Sequence, residues 1–342
     1  MALSRVSSIC IITAALILAL IYGQSLIQPF ILALFIWFVI KELREQMQRS
    51  KWIENKVPSW LLSSIAFVVI IAVLGLISKL LTGNIKTLSK SLPNYEKELA
   101  TLGDRIEQSL GVDYKTNLSQ YASSIDFASI LEMLINSLSD LIGNTVMILI
   151  YLIFLLIEEQ VFQKKLKALW NHKKERGQIQ EILNKIDRSV GKYIGLKTLV
   201  SFITGVLSYA VLLMMDVEAA FFWSSIIFLL NYIPNIGSLV GTIFPAVFAF
   251  IQFGSWEPFL WVLLAVGAIQ VLVGNVLEPK LMGNTLNLSP LVVILSLAFW
   301  GAIWGIIGMI LSVPITVGIL IACSAFPESK SLAILLSEKG RI

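Results

Sequence analysis

The feature that most limits how this chain can fold is a series of long apolar stretches that recur along its length. Examples are the runs at 60–81, 193–215 and 256–277. A helix needs about 20 such residues to cross a hydrocarbon layer of about 30 Å, and the bilayer interior offers the backbone no water to bond with. The recurrence of these runs predicts an all-α polytopic membrane protein with about 7–8 transmembrane segments.

The composition agrees with a membrane protein and argues against several kinds of site. Hydrophobic residues make up 57% of the chain and charged residues only 14%, against roughly 25% in soluble domains. His172 is the only histidine, and Cys10 and Cys323 both lie in apolar runs. We therefore expect no metal and no other cofactor. The membrane runs hold no Ser/His, paired His or paired Asp arrangement, so we expect no enzymatic activity.

Apolar runs and the polar stretches between them divide the chain into five parts. The polar stretch that follows the third run is mixed in charge, with five basic and eight acidic residues. The predicted parts are three N-terminal transmembrane helices (1–81), an exported, extramembrane helical insert (82–140), a fourth transmembrane helix with a basic cytoplasmic linker (141–192), a C-terminal transport half (193–326) and a cytoplasmic tail (327–342).

The distribution of Lys and Arg predicts which loops face the cytoplasm. The loop 41–56 holds five of them and the segment 161–192 holds nine, whereas 216–218 and 254–257 hold none. Basic loops stay on the cytoplasmic side, so both termini are predicted to be cytoplasmic and the insert exported. The net charge of +4 thus reports topology, and we expect no nucleic-acid partner. The basic segment either contacts anionic lipid headgroups or only fixes the topology.

The exported insert carries an apolar seam with heptad spacing. A seam on an extramembrane helix must be buried somewhere, either within a helical hairpin and against the membrane domain or against another subunit. The pattern leaves both arrangements open, and a homo-oligomer is one of them. The seam consists of Ile85, Leu88, Leu92, Tyr95, Leu99, Leu102 and Ile106.

Two apolar stretches of the C-terminal half are interrupted. The stretch 219–253 is too long for one span, and it is broken by Asn231, Pro234, Asn235 and Gly237. Irregular backbone at membrane depth is tolerated where it is buried in protein or lines a cavity. Paired interrupted segments indicate the binding site of a transporter.

The second interrupted stretch, 290–326, repeats this design with glycines. Gly301, Gly305 and Gly308 lie near its middle, and Pro314 follows them. These glycines either allow ordinary close packing of helices or mark a bend that frames a pathway. Each interrupted stretch is either a re-entrant hairpin or two short spans, and the sidedness of the chain is the same in both cases.

Few polar side chains lie in this half, and an intramembrane polar group is a candidate functional group. Neutral amides suit a neutral, hydroxyl-rich solute better than a charged one. Glu278 is the one carboxylate near enough to couple transport to an ion, unless it is an interfacial partner of Lys280. The amides are Asn231, Asn235, Gln252, Gln270 and Asn275.

Several sequence blocks of this half resemble the autoinducer-2 exporter family of bacterial permeases. They are EPKLMG at 278–283, LSP at 288–290, WG at 300–301, GIIGMILSVP at 305–314 and NYIPNIG at 231–237. The order of spans and insert is similar from end to end. The resemblance implies a multi-pass protein of the bacterial cytoplasmic (inner) membrane that exports autoinducer-2 or a related small solute. It also implies a homo-oligomer, a pentamer, with an elevator-like movement of the C-terminal half.

Three hypotheses about function follow. The first is a secondary transporter that exports a small polar solute through the interrupted segments. The second is a monovalent cation (Na⁺ or Li⁺)/proton antiporter, which some members of the family are and which requires Glu278 or Asp216 to titrate. The third is a membrane scaffold that acts through its insert and transports nothing. The predicted substrate pathway consists of Asn231, Pro234, Asn235, Gly237, Gln270, Asn275, Gly301, Gly305 and Gly308, with Glu278 for coupling.

Overall fold

The computed structural model describes residues 2–48, 57–110, 127–169, 173–282 and 287–340. The regular structure of these residues is helical, which confirms the predicted all-α class. The helices are α1 (Ala2–Tyr22), α2 (Gln24–Gln48), α3 (Ser59–Leu110), α4 (Phe127–Gly143), α5 (Thr145–Leu169), α6 (Lys173–Met214), α7 (Ala220–Leu230), α8 (Ile236–Phe253), α9 (Trp256–Leu272), a π-helical turn (Val273–Leu277), α10 (Glu278–Met282), α11 (Pro290–Ser324) and α12 (Lys330–Leu336).

Six helices of the described residues are long and apolar enough to cross a membrane, and a bent pair formed by α4 and α5 brings the number to seven. The bend between that pair is 47°. Large apolar side chains such as Val68, Leu76 and Phe154 are more than half exposed on these helices. An apolar surface of this extent is stable only in contact with lipid or with other subunits, so the polytopic class is confirmed.

Helix ends occur where the sequence supplies proline or glycine. Pro290 occupies the first turn of α11, where its missing N–H leaves no hydrogen bond unmade. Gly254 ends α8 with a positive φ of 63°, and its N–H bonds to the carbonyl of Phe250. These ends separate α8 from α9 and so define the start of the next apolar helix.

The chain forms two compact units. Unit 1 comprises Met1–Ile70, Gly143–Leu196 and Met282–Ile342, and unit 2 comprises Ile71–Ile142 and Lys197–Leu281. Two apolar clusters in unit 1 surround α2. One joins it to α3 and α5 through residues such as Ala33 and Leu152, and the other joins it to α6 and α11.

Charged side chains of unit 1 meet at the end of α2. Arg44 donates to a carboxylate oxygen of Glu159 at 2.7 Å and to the hydroxyl of Ser63 at 2.8 Å. The indole N–H of Trp37 donates to the same carboxylate at 3.0 Å, and Lys41 is paired with Asp187. Both carboxylates thus have a basic partner, which lowers the cost of their partial burial.

Unit 2 contains a series of helices that pack antiparallel along their length. Aromatic pairs show which residues of neighbouring helices face each other. The ring centroids of Tyr209 on α6 and Phe221 on α7 lie 6.0 Å apart. Those of Trp223 on α7 and Phe248 on α8 lie 5.0 Å apart. In the same way Phe250 of α8 packs against α9. The C-terminal half of α6 and helices α7, α8 and α9 therefore form a bundle.

The described part of the predicted insert begins as a continuation of the third span. Helix α3 runs from Ser59 to Leu110 without a break, so the span and the first part of the insert form one helix. Leu88 of the seam is fully buried. The side chains of the seam beyond it, and the segment 111–126, lie outside the described residues, so contact between subunits stays a prediction.

Candidate functional site

The first interrupted stretch is a helical hairpin with a tight turn. Helix α7 ends at Leu230 and α8 begins at Ile236, and Asn235 between them has a positive φ of 60°. The turn is closed by backbone hydrogen bonds from Ile233 to Leu230 at 2.8 Å and from Gly237 to Ile233 at 3.1 Å. The break predicted from the sequence at 231–237 is confirmed.

Gly237 permits the close approach of the two helices at this turn. A β-carbon built on it would lie 1.7 Å from the carbonyl oxygen of Leu230. No rotation of a side chain could relieve that overlap, because the obstacle is backbone. Gly237 is therefore required by the shape of the turn, whatever the solute.

The second interrupted stretch is built in the same way, within unit 1. Gly305 has φ 61° and ψ −141°, a conformation open to glycine, and it bends α11 sharply. A β-carbon on Gly308 would lie 1.9 Å from the carbonyl oxygen of Trp300, and one on Gly301 would lie 2.9 Å from Cε of Met309. These glycines mark a bend, and their place in a solute pathway stays a prediction.

Asn231 is buried at the turn of the first hairpin and tied to α6. It is only 7% exposed, and its Nδ2 donates to the hydroxyl of Ser201 at 3.1 Å. Its neighbour Tyr232 donates its hydroxyl to Thr198 at 2.8 Å. The turn between α7 and α8 thus meets a polar face of α6 inside unit 2.

Gln270 places a second amide in the interior of unit 2. It is 8% exposed, and its Nε2 lies 3.4 Å from the position of a β-carbon on Gly241 of α8. Among the described residues this nitrogen has no hydrogen-bond partner, and the same is true of Trp223 Nε1 and Ser208 Oγ. A buried donor without a partner costs about 1–3 kcal/mol, so these groups are available to a ligand or to water.

The other predicted amides are placed differently. Asn235 and Asn275 are exposed, and Pro234 is half-buried, so the structure does not bury them as it buries Asn231 and Gln270. Gln252 lies at the far end of the first hairpin. Its amide accepts from the N–H of Glu218 and donates to the carbonyl of Asp216, which ties the start of α7 to the end of α8.

Glu278 is paired with a residue that the sequence analysis missed. Its carboxylate lies 2.5 Å from Nζ of Lys197 on α6. Lys280, the alternative partner that the sequence left open, is exposed, and the ion pair found for Glu278 is the one with Lys197. Lys197 is 4% exposed, and a buried ionisable residue in a membrane protein is a candidate functional residue.

The face of α6 that carries Lys197 is polar for three turns. Ser201, Thr204 and Ser208 follow Lys197 at spacings of four, three and four residues, and all three are fully buried. This spacing repeats one face of a helix, so the signal was present in the sequence. The sequence analysis missed this face because serine and threonine within an apolar run do not by themselves indicate a site.

Glu278 follows a π-helical turn, Val273–Leu277. A π-turn adds a residue to the helical register, and such turns occur frequently at functional sites. Here it separates α9, which carries Gln270, from α10, which carries Glu278. The turn changes the direction in which the residues after it project, and Glu278 lies at the first position beyond it.

Comparison with known proteins agrees with this architecture. The model of a family described as "AI-2E family transporter" matches residues 10–328. The chain is 35% identical to the AI-2 transport protein TqsA of Escherichia coli strain K12 over 94% of this chain and 92% of that protein. It is 31% identical to a putative transport protein of Haemophilus influenzae (97% and 95% covered) and 28% identical to the putative transport protein YhhT of E. coli strain K12 (98% and 93%). The chain belongs to the AI-2E family of multi-pass membrane transporters.

Proposed function

We propose that this protein is a secondary transporter that exports a small, uncharged polar solute, autoinducer-2 or a related signal, across the bacterial inner membrane. The observation that carries the proposal is the polar interior of unit 2, where Asn231 is buried against a hydroxyl group of α6 and Gln270 is buried against Gly241 of α8. The relative described as an AI-2 transport protein, 35% identical over nearly the whole chain, supports the choice of substrate.

The chemistry of this interior favours a neutral solute with several oxygen atoms. Among the described residues, the buried donors without a partner in unit 2 are an amide on α9, an indole N–H on α7 and a hydroxyl on α6. Hydroxyl and carbonyl oxygens of a solute can accept from all of them. An ionised solute would need an opposite charge, and the buried Lys197 is already neutralised by Glu278.

The experiment that tests the proposal is uptake of labelled autoinducer-2 into proteoliposomes that hold the purified protein. Gln270→Met keeps the length of the side chain and removes the donor, so we expect saturable flux to fall about tenfold, equivalent to about 1.4 kcal/mol. The stability of the variant should not fall, because the replaced amide nitrogen has no partner among the described residues.

A matched control is Gln180→Met in the basic N-terminal part of α6, where the glutamine donates to Asn184 in the same helix. This variant should transport like the wild type. Equal flux in Gln270→Met and Gln180→Met would contradict the assignment of Gln270 to the solute site.

A second candidate function is monovalent cation/proton antiport, and the Lys197–Glu278 pair is the observation that favours it. In an antiporter, Na⁺ or Li⁺ would take the place of the Lys197 ammonium beside the carboxylate. A pH-sensitive dye inside the proteoliposomes tests this, since an imposed sodium gradient would then move protons with no organic solute present.

We also propose that the protein assembles as a homo-oligomer, a pentamer by family resemblance, and contacts membrane lipid. The heptad seam of 85–106 and the apolar exposed surfaces support an assembly. Native mass spectrometry of the protein in lipid nanodiscs counts the subunits directly.

A further inference from the structure

We propose that the Lys197–Glu278 pair is the proton-coupling site of this transporter, with Lys197 acting as a built-in cation that competes with the proton for the carboxylate. The inference rests on the proposed export function and names its driving ion. Proton entry would accompany export of the solute, so the two move in opposite directions.

The two partners of the pair differ in access to solvent. The side chain of Lys197 is 5% exposed, and that of Glu278 is 23% exposed. A proton can therefore reach the carboxylate while the ammonium group stays inside unit 2. Glu278 is the group that gains and loses the proton, and Lys197 is the group that responds.

Protonation of Glu278 removes the charge that compensates Lys197. A buried ion pair is tolerated because each charge offsets the other, and removal of one partner is strongly destabilising. The ammonium group must then find other acceptors or move toward water. Protonation therefore favours any conformation that gives the ammonium group new partners.

The next polar side chain along the same face bonds to an amide of the proposed solute site. Ser201 follows Lys197 by one helical turn, and its hydroxyl oxygen accepts the amide hydrogen bond of Asn231. An ammonium group released from Glu278 and drawn to this hydroxyl would compete with Asn231. Protonation of Glu278 can therefore affect the amide of Asn231 through two contacts, Glu278 to Lys197 and Ser201 to Asn231.

Other titratable groups lie on the elements around the pair. Glu42 of α2 has its side chain against Gly195, two residues before Lys197, and accepts a hydrogen bond from Gln46. Tyr232 at the hairpin turn donates its hydroxyl to Thr198, and Lys280 on α10 is exposed. Asp216 and Glu218 lie at the other end of the hairpin, where Gln252 holds their backbone. Glu257 is in the first turn of α9 and so lies at the opposite end of that helix from α10.

The test compares two fluxes of labelled autoinducer-2 in proteoliposomes: accumulation driven by a proton gradient, and exchange with equal solute on both sides and no gradient. In the wild type the gradient should raise flux severalfold over exchange. In Glu278→Gln the ratio of gradient-driven flux to exchange flux should fall to about 1, because the proton is then no longer coupled to the solute. Lys280→Met is the matched control and should keep the wild-type ratio.

Lys197→Met leaves the Glu278 carboxylate without its partner and can fail to fold. The double variant Lys197→Met/Glu278→Gln removes both charges and keeps the volumes, so it should fold. Its flux ratio should again be about 1. A retained gradient response in Glu278→Gln or in the folded double variant would overturn the proposal.

Infrared difference spectroscopy separates this proposal from the proposed substrate. Acidification should produce the carbonyl band of a protonated carboxyl group that is absent in Glu278→Gln, with no solute added. Its absence in the wild type would overturn the coupling site. A wild type that shows the band and carries no autoinducer-2 would overturn the substrate and support the coupling site.

Discussion

At the scale of single residues, the hydrogen bond between Asn231 and Ser201 is the contact that ties the hairpin turn to α6. Asn231→Leu keeps the side-chain volume and removes the donor. We expect flux of autoinducer-2 to fall about tenfold, equivalent to about 1.4 kcal/mol, and Ser201→Ala to cause a similar fall. Because both act through one bond, the double variant should transport no worse than either single one.

Ser225→Ala is a control for this cycle, since that hydroxyl bonds to the carbonyl of Phe221 within its own helix. It should transport like the wild type. Losses that simply add in the Asn231 and Ser201 double variant would show that the bond does not matter to transport.

Sequence reasoning singled out Asn231, which the structure buries, and passed over Lys197, for physical reasons. An asparagine beside a proline in an apolar stretch is conspicuous, because lipid cannot satisfy its amide. A lysine a few residues inside an apolar run reads as the edge of the basic segment before it. Only the packing of α6 against α10 reveals that Lys197 is buried and paired, and that contact joins residues far apart in the chain.

At the scale of elements, the hairpin turn is fixed by backbone geometry at Gly237. Gly237→Ala would place a methyl group 1.7 Å from the Leu230 carbonyl oxygen, so the turn must open. We expect destabilisation of about 3 kcal/mol or more, since packed backbone yields little, and loss of flux with membrane insertion retained. Thermal unfolding in detergent and liposome flux measure the two effects.

Gly267→Ala is the matched control on α9. Its β-carbon would meet Thr242 Cγ2 at 3.6 Å, an ordinary contact, and alanine favours a helix by about 1 kcal/mol over glycine. That variant should be as stable as the wild type or more so. Wild-type flux in Gly237→Ala would contradict a role for the tight turn.

Both broken stretches were predictable as breaks because proline and glycine interrupt apolar runs. Their construction was not predictable to the same degree. In both stretches a glycine lies against a backbone carbonyl of the preceding helix, and this contact depends on how closely the two helices approach. Residue spacing alone allowed ordinary helix packing at Gly301, Gly305 and Gly308 equally well.

At the scale of the whole molecule, the helical class followed from the lengths of the apolar runs, which a bilayer dictates. The described residues hold six or seven membrane-length helices, against the 7–8 predicted. The division into two units did not follow, because each unit gathers segments that are distant in sequence. Unit 1, for example, combines α2, α5 and the last helices of the chain. Such grouping depends on side-chain contacts that no local pattern records.

Sidedness is the whole-molecule property that the basic loops predict and that labelling can measure. After both native cysteines are replaced by serine, Asp113→Cys in the insert should react with a membrane-impermeant maleimide in intact cells. Gln180→Cys in the basic segment should react only after permeabilisation, because the nine Lys and Arg residues of 161–192 predict a cytoplasmic location. Labelling of both variants in permeabilised cells shows that each thiol is reactive. The reverse pattern would place the termini outside and invert the direction in which protons reach Glu278.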